Sequence, residues 1–492
     1  MADEIRWLIG DGPAAASRQA RQQACLGKAG PPAGWLAGLA ALFLAFAAPG
    51  APPNLVLILA DDLGWADLGA MGSRFHETPV LDRLAAEGTR FNAFYTYPST
   101  VSAQAGVLTG QAPPRHGMYA DGSLAPGRED DRRLIPPANV TALPAGRRTL
   151  AEVLRDAGYE TGFFGHWALG TEAARHPAQR GFDAALVAGG RHFNFQTSPP
   201  FKVAKGYYLA DFLTDQAMRF VELNAERPFF LCVSHFALHP PHEAKEALYR
   251  KYQARPHAGG QHSAVYAAMI ESVDQNVGRL LAHLDRFGLR ENTLVVFASD
   301  NGGSGGYRSS EPEARRNGIT DNAPLRGGQG QLYEGGLRAP LLVRWPGVVS
   351  AGRAVETPVT ITDLFPTLLE AAGAAPPPDQ PLDGLSLLPL LRGETDTLPR
   401  EFLAWHFPGY AESLVRDRGW RATPAGAIRQ GGWKLIEFFE DGRLELYDLA
   451  ADLSETNNLA PTKPEVAAEL KARLAAWRKS LQAVEAQRRS VR

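Results

Sequence analysis

Two short runs of oxygen-bearing side chains stand out as chemistry. Asp61-Asp62 follows the apolar run Leu55 to Ala60, and Asp300-Asn301 follows the apolar run Leu294 to Ser299. Three carboxylates and one amide oxygen form a hard-cation donor set, suited to Ca²⁺ or Mg²⁺ rather than zinc. In open α/β sheets ligands gather beyond the carboxyl ends of strands, so two strands ending in such donors can bring distant parts of the chain to one ion. Either pair alone reads equally as the N-cap of a helix that follows a strand. The rest of the chain has to decide.

The elements needed to position these residues are legible from the apolar pattern. Leu55 to Ala60, Phe229 to Ser234, Leu294 to Ser299 and Pro340 to Arg344 are nearly continuous apolar runs, the pattern of strands covered on both faces. Helical spacing occupies Pro79 to Glu87, Leu150 to Ala157, Tyr208 to Leu223 and Tyr266 to Phe287. This alternation predicts an α/β fold, a mainly parallel sheet flanked by helices. After the helix-like Leu364 to Ala372, the stretch Gly373-Ala-Ala-Pro-Pro-Pro-Asp379 reads as a linker. It divides residues 51–375 from a smaller C-terminal α+β lobe, 376–492. There Ala427 to Phe439 and Leu444 to Tyr447, separated by Glu440-Asp441-Gly442, predict an antiparallel hairpin before a closing helix, Pro464 to Gln482.

Composition narrows the partners. With 51 Lys+Arg against 53 Asp+Glu in 492 residues, the formal charge is -2, and no global field favours nucleic acid or an anionic membrane. Two cysteines, Cys25 and Cys232, supply neither a disulfide framework nor a cysteine-rich metal site. Arg18, Arg21 and Lys28 precede the apolar run Trp35 to Ala48, which closes on small residues before Pro49-Gly50. This is the layout of a secretory signal over residues 1–50, with a secreted or periplasmic destination and no membrane contact after cleavage. A retained anchor is the alternative, although the run is shorter than the ~20 residues that span a bilayer. The segment before the apolar run is long, as it would be if the start were assigned too far upstream.

The contexts of the two donor pairs carry a resemblance. Pro53-Asn-Leu-Val-Leu-Ile-Leu-Ala-Asp-Asp-Leu-Gly-Trp65 looks like the opening strand of sulfatases, and Thr78 to Phe91 resembles the helix after it. Leu108-Thr-Gly110, Arg115-His-Gly117, Gly181-Phe-Asp183, Ser299-Asp-Asn-Gly-Gly303, Leu325-Arg-Gly-Gly328, Tyr333-Glu-Gly-Gly336 and Leu446-Tyr-Asp-Leu449 follow in the family's order. The chain is thereby identified as arylsulfatase-like, a sulfatase of the alkaline phosphatase superfamily. The resemblance implies that superfamily's α/β fold. It also implies a divalent cation, usually calcium, with Asp61, Asp62, Asp300 and Asn301 as its protein ligands.

The same resemblance shows where the chain departs. Sulfatases carry a Cys-x-Pro-Ser-Arg segment whose Cys, or Ser in some bacterial members, is oxidised to formylglycine. Anchoring on Leu108-Thr109-Gly110 puts Thr100 at the nucleophile and Gln104 at the arginine, within Thr100-Val-Ser-Ala-Gln104. A hydrated aldehyde attacks with one hydroxyl and expels sulfate by deprotonating the second. Threonine has one hydroxyl, and its oxidation would give a poorly hydrating ketone, so no formylglycine is expected. The family's Gly-Lys-Trp-His-Leu-Gly appears as Gly165-His-Trp-Ala-Leu-Gly170, which turns a lysine into His166 and a histidine into Ala168. Gln329 replaces the lysine after Leu-Arg-Gly-Gly. Oriented charge at a developing anion is commonly worth ~3 kcal/mol per donor, so these losses would slow the family's reaction by many orders of magnitude. His239, in Ala237-Leu-His-Pro240, matches the histidine of Ala-Pro-His-x-Pro, with leucine in place of the proline before it.

Two functional expectations follow. The first is a sulfatase-family protein that binds one divalent cation and, at His166, Gln104 and Gln329, a sulfated or otherwise anionic small molecule or glycan, as a non-catalytic or weakly active binder. The second is a metal-dependent sulfate, phosphate or phosphonate ester hydrolase with Thr100 as nucleophile and His239 activating water. Each candidate also has a plainer reading: Thr100 as a loop hydroxyl, His166 as a neutral imidazole filling the place of a lysine, His239 as a packing residue. His406, in Trp405-His-Phe-Pro-Gly-Tyr410, lies in a segment that approaches the substrate in some relatives, but Gly409 stands where those carry another histidine.

Overall fold

The computed structural model describes residues 51–305, 318–412 and 419–489. The segment read as a secretory signal, with Cys25, lies outside the described residues. Seven strands carry the main sheet: β1 (Asn54–Ala60), β2 (Thr89–Tyr95), β3 (Glu160–Gly165), β4 (Ala184–Gly189), β5 (Phe229–His235), β6 (Thr293–Ser299) and β7 (Arg338–Arg344). Their spatial order is β2-β7-β6-β1-β5-β3-β4, extended by short edge strands, Arg353–Val355 and Val359–Thr360 beside β2 and Gln196–Ser198 beside β4. β1 runs parallel to β5 and β6, and β3 to β4 and β5. β7 is antiparallel to both its neighbours, β6 and β2.

In β1, β5, β6 and β7 every residue is buried, which is why the middle of each strand is apolar and does not alternate, polar residues such as Arg338, Arg344, Ser234 and His235 standing only at the ends. The polar exceptions at the start of β1 and β6 satisfy each other. Asn54 Nδ2 donates to Thr293 Oγ1 at 3.4 Å, and Asn54 Oδ1 accepts from the Phe229 amide at 3.3 Å, tying the first residues of three central strands together.

Successive side chains of a strand point to opposite faces, and β1 divides accordingly between two cores. Leu55, Leu57 and Leu59 pack on the face covered by α2 (Thr100–Thr109), α3 (Leu150–Asp156) and α6 (Leu364–Ala371). Val56, Ile58 and Ala60 pack on the face covered by α1 (Pro79–Glu87), α4 (Leu209–Asn224) and α5 (Ala264–Arg286). Local chemistry starts these helices: a capping box of Thr149 and Glu152 opens α3, and Ser263 accepts from the Tyr266 amide at the head of α5.

A second sheet follows in the order β8 (Leu403–Phe407), β9 (Ala425–Gln430), β10 (Trp433–Phe438), β11 (Leu444–Asp448), all antiparallel. Trp405, Phe407, Ala427 and Ile436 join the first core of the main sheet. Ile428, Leu435 and Leu446 face α7 (Pro464–Ser480) through Ala467, Leu470 and Leu474. The α/β fold with a smaller C-terminal sheet lobe is therefore the one the apolar pattern predicts.

Three details differ from that expectation. The run Ala427 to Phe439 is two strands, because Gly431-Gly432 turns the chain between β9 and β10. The run Pro340 to Arg344 belongs to a strand that is antiparallel to both its neighbours, inside the otherwise parallel body of the sheet. The chain also stays in the first core beyond residue 375: Leu387, Leu388, Leu390 and Leu391 are wholly buried there, and the second sheet begins only at Leu403. No helix among the described residues is long and apolar enough to cross a membrane.

Candidate functional site

Strand direction assembles the site. β1, β2, β3, β5 and β6 share one direction, so the residues that follow them emerge on a single edge of the sheet; antiparallel β7 begins on that same edge. Asp61 and Asp62 follow β1, Thr100 opens α2 just after β2, His166 follows β3, His239 follows β5, Asp300 and Asn301 follow β6, and Gln329 lies in the approach to β7. This is where open α/β sheets place their ligands.

Asp61 and Asp300 are held by strand-like bonds, Asp61 N to His235 O and Asp300 N to Ala60 O, each 3.2 Å. The Asp62 amide donates to Asp300 Oδ1 at 3.3 Å, and Asn301 Nδ2 donates to Asp62 Oδ1 at 2.8 Å. The Thr100 hydroxyl lies 3.0 Å from Asp61 Oδ1 and 3.1 Å from Asn301 Oδ1, sharing its one proton between them. All five residues are at most 4% exposed. Asp62 has φ 62°, an uncommon conformation for a non-glycine residue of the kind that gathers at functional sites.

Burial dominates the electrostatics. It pushes the Asp61 carboxyl up to about 8, helped by the neighbouring Asp62 and opposed by His239 and by the Thr100 bond. Asp62 and Asp300 are raised as well, first by burial, and Asp300 further by the charges of Asp61 and Asp62. Three carboxylates thus share one poorly hydrated space facing amides, a hydroxyl and imidazoles. Among the described residues no group of three or more His, Cys, Asp or Glu side chains is arranged to hold an ion as it stands. The donor chemistry nonetheless fits a hard cation, because the converging atoms are oxygens whose mutual repulsion a divalent ion would relieve.

The positions that depart from the sulfatase pattern are structurally occupied. Gln104 is 1% exposed, and its amide donates to His166 O at 2.9 Å and accepts from Ala168 N at 2.8 Å, so it braces the segment after β3. His166 Nδ1 lies 3.1 Å from Asp61 Oδ2, and burial first, then His239, lowers its pKa to about 4, which keeps it neutral. Its backbone is set by Gly165, with φ 142°, where a Cβ would lie 1.8 Å from Ser234 O. Gln329 Nε2 meets Asp62 Oδ1 at 2.5 Å.

His239 is partly exposed, as are His166 and Gln329. Burial lowers its pKa, but Asp61 and Asp62 outweigh this, and the net shift is upward. Its ring packs on Phe236 at 4.7 Å between centroids, and Leu238 before it has φ 76°. Proline, held near φ −65°, could not take that conformation, so leucine at this position fits the local backbone.

Several contributors were not singled out in the sequence. The Tyr266 hydroxyl lies 2.9 Å from the Asp62 carbonyl and 2.8 Å from Asp67 Oδ2, bracing the strained Asp62 from beneath. Asp67 also accepts from Gly64 N at 2.8 Å, and its position in the Asp61-Asp62 loop was the available signal. Exposed Asp121 raises both Asp61 and His239 electrostatically. Arg421, from the C-terminal lobe, donates to Gln329 O at 2.6 Å and Gly305 O at 2.9 Å, and no local pattern announced it. His406 is structural: it is 4% exposed, bonds Val484 O at 2.9 Å, and is lowered to about 4 by burial.

Comparison with known proteins agrees with this architecture. The sulfatase family model matches residues 53–374, and the model for the C-terminal region of N-sulphoglucosamine sulphohydrolase matches 329–480. N-acetylgalactosamine-6-sulfatase of Canis lupus familiaris is 34% identical over 387 residues, which cover 73% of this chain and 70% of the relative. A sulfatase of Formosa agariphila is 32% identical over 502 aligned residues, covering 86% of this chain and 88% of the relative. The crystal structure of Ps i-CgsB in complex with k-i-k-neocarrahexaose superposes with a TM-score of 0.71 and 27% identity, covering 87% of this chain and 92% of that one. The chain belongs to the sulfatase family of the alkaline phosphatase superfamily and has its hydrolase scaffold.

Proposed function

We propose that this protein holds one divalent cation, Ca²⁺ or in its place Mg²⁺, through Asp61, Asp62, Asp300 and Asn301. Beside it the protein binds a sulfated or otherwise anionic small molecule or glycan, without formylglycine-dependent turnover. The observation that carries this reading is the Thr100 hydroxyl bonded within the carboxylate cluster, where a single-hydroxyl side chain cannot become an aldehyde hydrate. The supporting charges are neutral here: Gln104 is turned to backbone groups, Gln329 to Asp62, and His166 is an uncharged imidazole. A glycan ligand is suggested by the relative named N-acetylgalactosamine-6-sulfatase and by the neighbour solved with a neocarrahexaose. Residues 1–50 act in this reading as a secretory signal that directs a secreted or periplasmic protein, and residues 51–375 and 376–492 are its two lobes, the second beginning with a segment, Leu387 to Leu391, that packs into the core of the first.

One observation favours a second reading. Thr100 is the first residue of α2, and Asp61 Oδ1 stands 3.0 Å from its hydroxyl, placed to take its proton. In that case the Thr100 oxygen attacks the sulfur or phosphorus of a sulfate, phosphate or phosphonate ester as the bond to the departing alcohol breaks, and water activated by His239 then displaces Thr100 from the adduct. The cation would supply charge neutralisation at the ester oxygens. The test is to purify the mature protein, measure its metal content, and assay aryl sulfate, phosphate and phosphonate esters beside Thr100→Ala. Cation bound with no turnover is the expected outcome. Metal-dependent turnover abolished by Thr100→Ala would replace the binder with the hydrolase.

A further inference from the structure

Gln329 is fixed at the site through its backbone. Its N–H donates to Gly303 O at 3.0 Å and its carbonyl accepts from Arg421 Nε at 2.6 Å. A Cβ on the preceding Gly328 would lie 2.7 Å from both Gly303 O and Gly305 O, so the segment runs against the loop that carries Asp300 and Asn301. From there the side-chain amide of Gln329 reaches Asp62 Oδ1, the same oxygen that the Asn301 amide meets at 2.8 Å.

The end of the amide that faces Asp62 depends on what else is there. Beside a bare carboxylate the NH₂ end is favoured, because it donates. Beside a cation held by that carboxylate the oxygen end is favoured, and a half-turn about the last side-chain bond exchanges the two without moving the backbone. Ca²⁺ takes about six to eight oxygens, more than one oxygen from each of four side chains supplies.

We propose that Gln329 is a fifth protein oxygen donor to the cation, a role that deepens the reading above and rests on it. A lysine at this position would repel the ion it stands beside; glutamine adds a neutral donor. The residue that takes a positive charge from the anion side of the site therefore strengthens the cation side.

Ca²⁺ titration by calorimetry and Eu³⁺ luminescence lifetimes, which count water molecules on the ion, test this with Gln329→Leu and Gln329→Glu. Gln329→Leu should weaken Ca²⁺ binding about tenfold or more and add one water to bound Eu³⁺. Gln329→Glu should bind at least as tightly as the parent, with no added water. Unchanged affinity and hydration in Gln329→Leu would overturn the proposal, as would lost affinity without an added water, which marks a residue that only positions Asp62. If the parent protein binds no Ca²⁺, the reading of the cation site fails with it; parent binding with inert variants defeats the fifth donor alone.

Discussion

Gln104, which stands where the sulfatase pattern carries an arginine, serves here as a brace between backbone groups. An arginine there would project a charged fork; the shorter glutamine ends among backbone groups and accepts from Ala168 N while donating to His166 O. Because the residue is buried, both backbone groups would lose their partner in Gln104→Ala. Leaving buried polar groups unpaired costs ~1–3 kcal/mol. Urea unfolding of Gln104→Ala should show a loss of that size at unchanged m-value, and a loss below about 0.5 kcal/mol would mean the two bonds contribute nothing. His166, three bonds from the same brace through its own backbone, should then hold Asp61 less firmly. The residue types at 100, 104, 166 and 329 were readable in the sequence; the partners that absorb them were not, since each partner lies far along the chain.

At the level of elements, Asp274 of α5 closes the N-terminus of α1, accepting from Leu81 N at 2.8 Å and Val80 N at 3.2 Å. Burial raises its pKa from 3.8 to about 6, against the lowering effect of those two amides. A carboxyl whose folded value lies above its unfolded one holds its proton more tightly when folded. Its contribution to stability is therefore complete below about pH 4 and is lost as pH rises through about 6. Relative to Asp274→Asn, the parent protein should lose up to ~3 kcal/mol across that window, read as diverging urea midpoints. Parallel pH profiles for the two proteins would reject it. The bounds of α1 were legible because Pro79 and the apolar spacing are local signals, whereas the cap on α1 comes from a helix that lies far away in sequence. The turn inside Ala427 to Phe439 was a local signal too: Gly431-Gly432, with Arg429 and Gln430 before it, separates two short runs that were read as one.

For the whole molecule, the join between lobes is ionic as well as apolar. Lys434 of β10 pairs with Glu334 at 2.8 Å and Glu455 at 2.9 Å, and none of the three is exposed to solvent. Tyr95 of β2 donates to Glu334 at 2.7 Å, which carries the network into the main sheet. Burial, and then Lys434 opposed by Glu334, leave the Glu455 carboxyl raised to about 7. Removing one partner of a buried ion pair is more damaging than removing all of them, because an uncompensated charge stays behind. Lys434→Met should cost about 3–5 kcal/mol, while Lys434→Met with Glu334→Gln and Glu455→Gln should recover part of it. Chemical denaturation of both checks the ordering. Glu334 begins the short helix that feeds β7, downstream of Gln329, so Lys434→Met should also weaken Ca²⁺ binding measured by calorimetry.

Four strands of the main sheet, the acids that follow two of them and the family were legible in the residues alone, because apolar runs, terminal acids and ordered motifs are recorded within a few residues of each other; β2, β3, β4 and β8 were not, since their apolar runs are shorter or interrupted. The antiparallel direction of β7, the arrival of Arg421 from the second sheet, the support of Asp62 by Tyr266 and the new employment of Gln104 and Gln329 were decided only in three dimensions. Each of these is a contact between distant segments. Local propensity and spacing fix where a side chain starts, but its partner is chosen by the packing that brings the strand ends to one edge of the sheet.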